Sequence, residues 1–435
     1  MPAQNYLSGD SAVNIAHSVE SAVASGRAAG GSLLPPVRTA AVQLGVSPAT
    51  VAAAYRMLAQ RGVVIADGRR GTRIRHAPPI ALPPPAPLPE SVVDLAGGNP
   101  DHALLPPLPR LAHEQRLYRD DLNDPRLLAL AREQFERDGV PAKHLAVVSG
   151  ALDGVERVLR EHLRPGDRVA VEDPSFTGVL DLLSALALVP IPVAVDDQGM
   201  LAAPLRKALA GGARALVVAP RAQNPLGAAI TPSRARELHR ILGSHPDVLL
   251  IEDDHAGPIA GAPYVTLATP RRERWAVVRS VSKSLGPDLR VALLTGDAAT
   301  VARVEGRQTL GIRWVSHILQ RTVVALWRDR KTSQLLRRAE AAYTARRQAL
   351  IEALRQRGIE AHGNSGLNVW VPVPEEAAVV QAMMRAGWAV QAGERYRIAT
   401  PPAIRITISS LKDPRKVADD LAAIIQPRVR VSSGA

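Results

Sequence analysis

The sequence predicts a multidomain protein in three parts. A small, mainly α-helical winged helix-turn-helix comes first, then a large α/β domain, then a smaller α+β domain at the C-terminal end. Three observations carry this. Two short helical patterns, separated by a glycine stop, occupy residues 37–60 and lead into an arginine-rich hairpin pattern. The stretch "HAPPIALPPPAPLPE", residues 76–90, holds seven prolines, which favour an extended polyproline II linker over helix or sheet. Beyond it, continuous apolar runs alternate with amphipathic helical patterns, as in a mainly parallel sheet covered on both faces. The expected parts are residues 1–76 for the winged helix, 77–93 for the linker, 94–310 for the large domain, and 311–435 for the small domain with an interdomain helix.

Composition bounds the chemistry. The 435 residues are 46% hydrophobic, enough for two or three cores. With no cysteine there is no disulfide and no thiol-based metal or nucleophile site; no metal site is expected. The start, "MPAQNYLSGDSAVNIAHSVE", has no basic segment ahead of an apolar core, and no run approaches a membrane span. The expected location is cytoplasmic. A net charge of +13 suits a polyanionic partner.

In the N-terminal part, "LPPVRTAAVQLGV" places Val37, Ala40, Ala41 and Leu44 at helical spacing and stops at Gly45. "SPATVAAAYRMLAQRG" follows, with Ser47 as N-cap, Pro48 at the first helical position, and Val51, Tyr55 and Leu58 on one face. Such a pair sets the N-terminal residues of its second helix into a DNA major groove. "VVIADGRRGTRIR" then reads as a hairpin about Asp67-Gly68, placing Arg69, Arg70, Arg73 and Arg75 to meet phosphates. The first 76 residues hold 8 Arg and no Lys against 2 Asp and 1 Glu.

In the large domain, ligands of an open α/β sheet gather where the strands end. After "LAVVSG", Gly150 and Ala151 open a helix whose free N–H groups suit a phosphate. After "RVAVEDP" stands Phe176, one of two phenylalanines, able to stack on a ring. "VAPRAQNPLG" offers Asn224 as a donor to a phenolate oxygen, and "VLLIEDD" offers Asp253 to hold a pyridinium nitrogen. "VVRSVSKSLGPDLR" supplies Ser280, Ser282, Arg290 for a phosphate, and Lys283, one of only 6 lysines beside 48 arginines. A lysine amine deprotonates on burial and attacks an aldehyde, which a guanidinium does not. An aldehyde trap, a ring-nitrogen acid, a phenolate donor, a stacking ring and a phosphate cup are together the parts that pyridoxal 5'-phosphate needs.

Two resemblances extend this reading. "LPPVRTAAVQLGVSPATVAAAYRMLAQRGVV" with "GRRGTRIR" resembles the DNA-binding head of GntR-type regulators. It implies that Arg38, Ser47, Thr50 and the wing residues Arg69, Arg70 and Gly71 face a double-stranded operator. From residue 94 onward, "GGNPDHALLPPL", "VVSGALDGV", "EDPSF", "QNPLG", "IEDDH", "SVSKSLGPDLR" and "AIRITIS" resemble fold-type I aminotransferases. Head, linker and body together are similar to the MocR/GabR subfamily of GntR regulators, and "APRAQNPLG", "EDDH" and "SVSKSLGPDLR" most resemble its PtsJ-type members, linked to vitamin B6 metabolism. The resemblance implies a Schiff base at Lys283, Asp253 at the pyridine nitrogen, Asn224 and His255 at O3′, and Phe176 stacked on the ring. It puts Ser280, Ser282, Arg290, Gly150 and Ala151 around the phosphate, Arg405 on an effector carboxylate, and Tyr118 across a head-to-tail homodimer.

Three positions depart from the family pattern: His255 in place of a tyrosine, Leu226 in place of a threonine, and Asn123 in place of a glycine. Histidine ordinarily titrates near neutrality. These departures leave cofactor binding intact and set efficient transamination in question. The leading expectation is a transcription factor that senses pyridoxal phosphate, alone or with an amino compound. A working aminotransferase, a regulator of amino acid metabolism, and a DNA-binding protein with an empty pocket stay open beside it.

Overall fold

The computed structural model describes residues 6–60, 63–66, 71–74, 87–111, 116–118 and 120–425. Arg69, Arg70, Arg75, the Asp67-Gly68 turn and most of the proline-rich linker lie outside the described residues. The chain divides into two compact units, one of residues 1–85, 162–169 and 178–190 and the other of residues 86–161, 170–177 and 191–435.

The N-terminal module has helices α1 (Ala12–Ala24), α2 (Val37–Leu44) and α3 (Pro48–Gln60), then strands β1 (Val64–Ala66) and β2 (Thr72–Ile74). The helix-turn-helix forms where the spacing placed it. Gly45 stops α2 in the left-handed region at φ 66°, which costs glycine no Cβ clash. The Ser47 hydroxyl accepts the Thr50 N–H at 3.1 Å and so caps α3. β1 and β2 pair antiparallel with Val64 opposite Ile74, as a wing requires. Helix α1, for which the sequence reading had no assignment, closes the core: Ile15 and Val19 are buried with Ala40, Val51, Leu58 and Ile74.

After the linker β3 (Val93–Asp94) precedes α4 (Pro125–Arg137). The sheet strands are β4 (His144–Val148), β5 (Arg168–Asp173), β6 (Val189–Asp196), β7 (Gly199–Met200), β8 (Ala213–Val218), β9 (Leu249–Asp254), β10 (Trp275–Ser280) and β11 (Ala292–Gly296). Between and after them run α5 (Ala151–His162), α6 (Thr177–Ala185), α7 (Ala202–Ala210), α8 (Pro232–Gly243) and α9 (Ala298–Thr309). The sheet order is β4-β11-β10-β9-β8-β5-β6-β7. β8, β9 and β10 are parallel. β11 runs against both β10 and β4, because the turn between β10 and β11 is too short for a helical crossover. Strands β4, β8, β9 and β10 therefore end at one edge, where β11 begins.

Helices α10 (His317–Arg328) and α11 (Arg330–Arg355) follow, then β12 (Asn368–Pro372), α12 (Glu376–Arg385), β13 (Trp388–Ala389), β14 (Gln391–Ala392), β15 (Ala403–Thr407) and α13 (Pro414–Ile425). β12, β15 and β14 form a small sheet. Val323, Val324 and Leu326 of α10 bury in the core of the large sheet. β3 pairs with β13, and Leu95 buries with the small sheet and α13.

Successive residues of a strand face opposite sides of the sheet, so Asp253 and Asp254 at the end of β9 look in opposite directions. Asp254 is buried between two guanidiniums: Arg221 Nε and Nη2 donate at 2.9 Å each, and Arg279 Nε donates at 2.6 Å. Those cations overcome burial and hold the Asp254 carboxyl far below the ordinary carboxylate range. Arg279 also meets Asp138 at 2.7 Å and lies over the Phe135 ring. Replacing Arg279 with Met should destabilise the protein by about 3–5 kcal/mol, since removing one partner strands buried negative charge. Urea unfolding followed by circular dichroism would measure it.

Candidate functional site

The site is assembled where β4, β8, β9 and β10 end, from residues contributed by loops that follow them. Three residues after β10, the Lys283 amine donates to the carbonyl of Gly98 at 2.7 Å. Burial, and secondarily the nearby Arg405 guanidinium, pull this amine down to about 8. A neutral amine is thus accessible near physiological pH, as nucleophilic attack on a carbonyl requires.

On the neighbouring strand Asp253 is only 5% exposed and its Oδ1 has no hydrogen-bond partner among the described residues. Burial, and then the charge of Asp254, push it up to about 7. A carboxyl so placed needs a cation to hold it ionised, and a protonated ring nitrogen is such a cation. His255 is drawn down to about 4 by burial and by Lys283. This corrects the expectation of titration near neutrality: the imidazole stays neutral and can donate one N–H.

Asn224 lies before a cis bond to Pro225. Its Oδ1 accepts from Arg405 Nη1 at 3.2 Å and from Asn368 Nδ2 at 3.3 Å, which leaves its amide N–H groups for a phenolate oxygen. Arg405 is buried on β15, also donates to the carbonyl of Ala96, and lies 5.0 Å from the centre of the Tyr396 ring. Its Nε has no partner. Burial lowers its affinity for the proton, so an anion facing it would gain from the encounter.

At the head of α5 Gly150 adopts φ 98° and Arg290 adopts φ 46°. A Cβ on Gly150 would stand 2.5 Å from Arg290 Nη2, so glycine is what admits the guanidinium to this helix end. Ser280 Oγ accepts the N–H of Ser282 at 3.1 Å, and the buried Ser282 Oγ has no partner among the described residues. An arginine, a helix N-terminus beginning at Ala151 and an unpartnered hydroxyl together form an oxyanion cradle. Phe176 follows the cis Asp173-Pro174 bond and is half-buried.

Tyr118 is not part of this set within one chain. It is 77% exposed, with its ring against Trp314 at 5.7 Å and under the Arg313 guanidinium. Two of the departures have structural uses. Asn123 bridges Glu305 and the Val147 N–H, and Leu226 is buried with Trp370, Tyr396 and Ala403. In the N-terminal module Arg38 and Ser47 are exposed, the Thr50 hydroxyl lies 2.8 Å from that of Ser47, and Gly71 adopts φ 91°.

The sequence reading missed Arg221, Arg279 and Asp254, although a charge inside the apolar run "WAVVRS" was a visible signal. It also missed Glu172 and Asp173 of "EDP". Asp173 accepts the backbone N–H groups of Ile398, Ala399 and Thr400 at 2.8, 2.8 and 3.0 Å, which ties that loop to the end of β5 beside Phe176.

Residues 11–74 match the bacterial regulatory proteins of the gntR family, and residues 134–421 match aminotransferase class I and II. The vitamin B6 salvage pathway transcriptional repressor PtsJ of Salmonella typhimurium is 39% identical over 94% of this chain and 96% of its own length. The chain belongs to the MocR/GabR subfamily of GntR-type regulators. Another relative of this MocR/GabR chain, the pyridoxine biosynthesis transcriptional regulator PdxR of Corynebacterium glutamicum, is 28% identical over 65% of this chain and 66% of its own length. In fold, the body of the regulator is similar to a Pyrococcus horikoshii kynurenine aminotransferase solved with PMP, at a TM-score of 0.68 and 20% identity over 77% of this chain and 90% of that one.

The cause of the Lys283 shift can be checked directly. Competitive acetylation with peptide mass mapping should give Lys283 a reactivity that rises with pH through a midpoint near 8. In Arg405→Met the midpoint should move upward, because a repelling positive charge has been removed.

Proposed function

We infer that this MocR/GabR regulator responds to pyridoxal 5'-phosphate and controls genes of vitamin B6 metabolism from the cytoplasm. The observation that carries the reading is the placement of the Lys283 amine, three residues beyond the end of β10, with the orphaned carboxyl oxygen of Asp253 at the end of the adjacent strand β9. The curated names of PtsJ and PdxR, both vitamin B6 regulators, support the choice of pathway. The residues present fit the cofactor: an unpartnered acid for its ring nitrogen, an unpartnered hydroxyl at Ser282, and a cradle at Gly150 that a side chain would fill.

When bound, pyridoxal phosphate supplies an aldehyde that combines reversibly with amines. Lys283 would hold its aldehyde carbon, while Asp253 keeps a proton on the ring nitrogen. Asn224 and His255 would donate to O3′, and Phe176 would cover the ring. Arg290, Ser280, Ser282 and the N–H groups from Gly150 and Ala151 would hold the phosphate. Arg405 is placed for the carboxylate of an amino effector, and Tyr118 for the neighbouring site of a head-to-tail homodimer. The two DNA modules of such a dimer would engage two operator half-sites through Arg38, Ser47, Thr50 and the wing at Arg69, Arg70 and Gly71.

Control requires that the cofactor bind the DNA-competent and DNA-incompetent conformations unequally. A second reading, a working aminotransferase, draws on the buried Arg405. Its mark would be full conversion of bound cofactor to the amine form by an amino acid, read by absorbance.

Footprinting of the gene's upstream region should show protection that changes on adding pyridoxal phosphate to wild type and stays unchanged in Lys283→Ala. Identical footprints under all conditions would remove the sensing role and leave DNA binding. The operator association constant should fall steeply with salt, by roughly 10³-fold or more between about 50 and 200 mM if about six phosphates are contacted. A filter-binding salt series gives the slope.

A further inference from the structure

Glu172 lies in β5 with its carboxyl buried, at 5% exposure. Oε2 accepts the N–H of Ala219 at 3.2 Å, just beyond the end of β8. Oε1 is equally buried and has no hydrogen-bond partner among the described residues; the nearby Gln223 amide donates instead to the carbonyl of Pro174 at 2.7 Å. Val218 pairs with Glu252 in register, so Ala219 stands level with Asp253. Since β8 lies between β5 and β9, Glu172 and Asp253 flank the end of β8 from its two sides. Each keeps one buried oxygen unpartnered.

Two carboxyls in one dry place resist being ionised together. Among the described residues, the groups acting on Glu172 are the Ala219 N–H and the Gln223 amide, both from the segment after β8, and Asp253 from β9; no cation offsets its burial. Burial first, and the charge of Asp253 with it, push Glu172 up to about 8. Burial, with the charge of Asp254, raises Asp253 as well, and of the two it is Asp253 that a ring nitrogen at this site would hold ionised.

We propose that Glu172 is a positioning residue of the cofactor site, holding a proton on Oε1 as a neutral acid so that Asp253 alone presents negative charge to the ring nitrogen. The inference rests on reading this site as one for pyridoxal phosphate. Its chemistry follows from the two oxygens. Oε2 must accept from Ala219, so the proton resides on Oε1, and ionising that group would set a second negative charge beside Asp253 with no counter-ion. Glu172 thus limits the floor of the site to a single charge that one pyridinium balances.

The test is an infrared titration of the full-length, cofactor-free chain from about pH 6 to about pH 9, following the protonated-carboxyl band. Wild type should show a component that fades with a midpoint near 8 and that is absent in Glu172→Gln. In Asp253→Asn the midpoint of that component should fall by about one unit or more, because the neighbouring negative charge is gone. Pyridoxal phosphate binding at about pH 7, read by absorbance, should be within about twofold of wild type in Glu172→Gln, a neutral isostere that still accepts from Ala219. It should weaken by about tenfold in Glu172→Ala, which leaves a buried donor unpaired.

A midpoint unmoved by Asp253→Asn, or a Gln variant that binds as poorly as Ala, overturns the assignment. The Asp253→Asn comparison keeps Glu172 itself, so it decides the question even where Glu172→Gln does not fold. Normal cofactor binding without the Glu172 band overturns the role of Glu172 alone. The band and its shift without any cofactor binding overturn the reading of the site, and the role with it.

Discussion

The clamp of Arg221 and Arg279 on Asp254 is the interaction on which the rest of the body depends. Two guanidiniums lock one buried carboxylate at the end of β9. The strand's alternation then leaves Asp253 no choice but the opposite face. There, among the described residues, no cation offsets the burial of the neighbouring residue of the same chemical type. Two adjacent aspartates therefore come to lie on opposite sides of the ordinary carboxylate range, one held down by its partners and the other pushed up by burial. The first is structure. The second is the group that the proposed cofactor's ring nitrogen would meet.

The same edge of the sheet explains why the remaining groups converge. β4, β9 and β10 all end there, and β11 starts there, so Gly150, Asp253, and Lys283 with Arg290 arrive from three separate segments. The positive φ of Arg290 and the missing side chain of Gly150 let a guanidinium lie against the head of α5. The small sheet contributes Arg405 to the same place, held by Asn224 and by the carbonyl of Ala96. Hydrogen bonds from Lys283 and Arg405 to the segment 96–98 bring the first residues after the proline-rich stretch into direct contact with the site.

Much of this was legible without coordinates, for identifiable reasons. Gly45 and the Ser47-Pro48 pair mark a helix stop and a helix start through local backbone chemistry, and such signals act within a few residues. Each apolar run ending in a chemically distinctive residue announced a strand end, so Asp253, Ser280 and Lys283 could be grouped before any distance was known. Less legible was Arg279, which reads like any arginine in a chain rich in them until Asp254, Asp138 and the Phe135 ring are seen around it. His255 was misjudged in its titration for the same reason, since burial and Lys283 act through space. The packing partners of Leu95 and of α10 likewise lie far away in sequence.

Local chemistry, written in order along the chain, was enough to determine the helix-turn-helix, the alternation of strands and helices, and the kinds of groups that end each strand. Tertiary structure alone decided which of those groups are ionised, which oxygens stay unpartnered, and which residues meet. The physical reason is that dihedral preference, capping and side-chain periodicity operate over a few residues. Desolvation and charge–charge interaction depend on everything within several ångströms, whatever its place in the sequence.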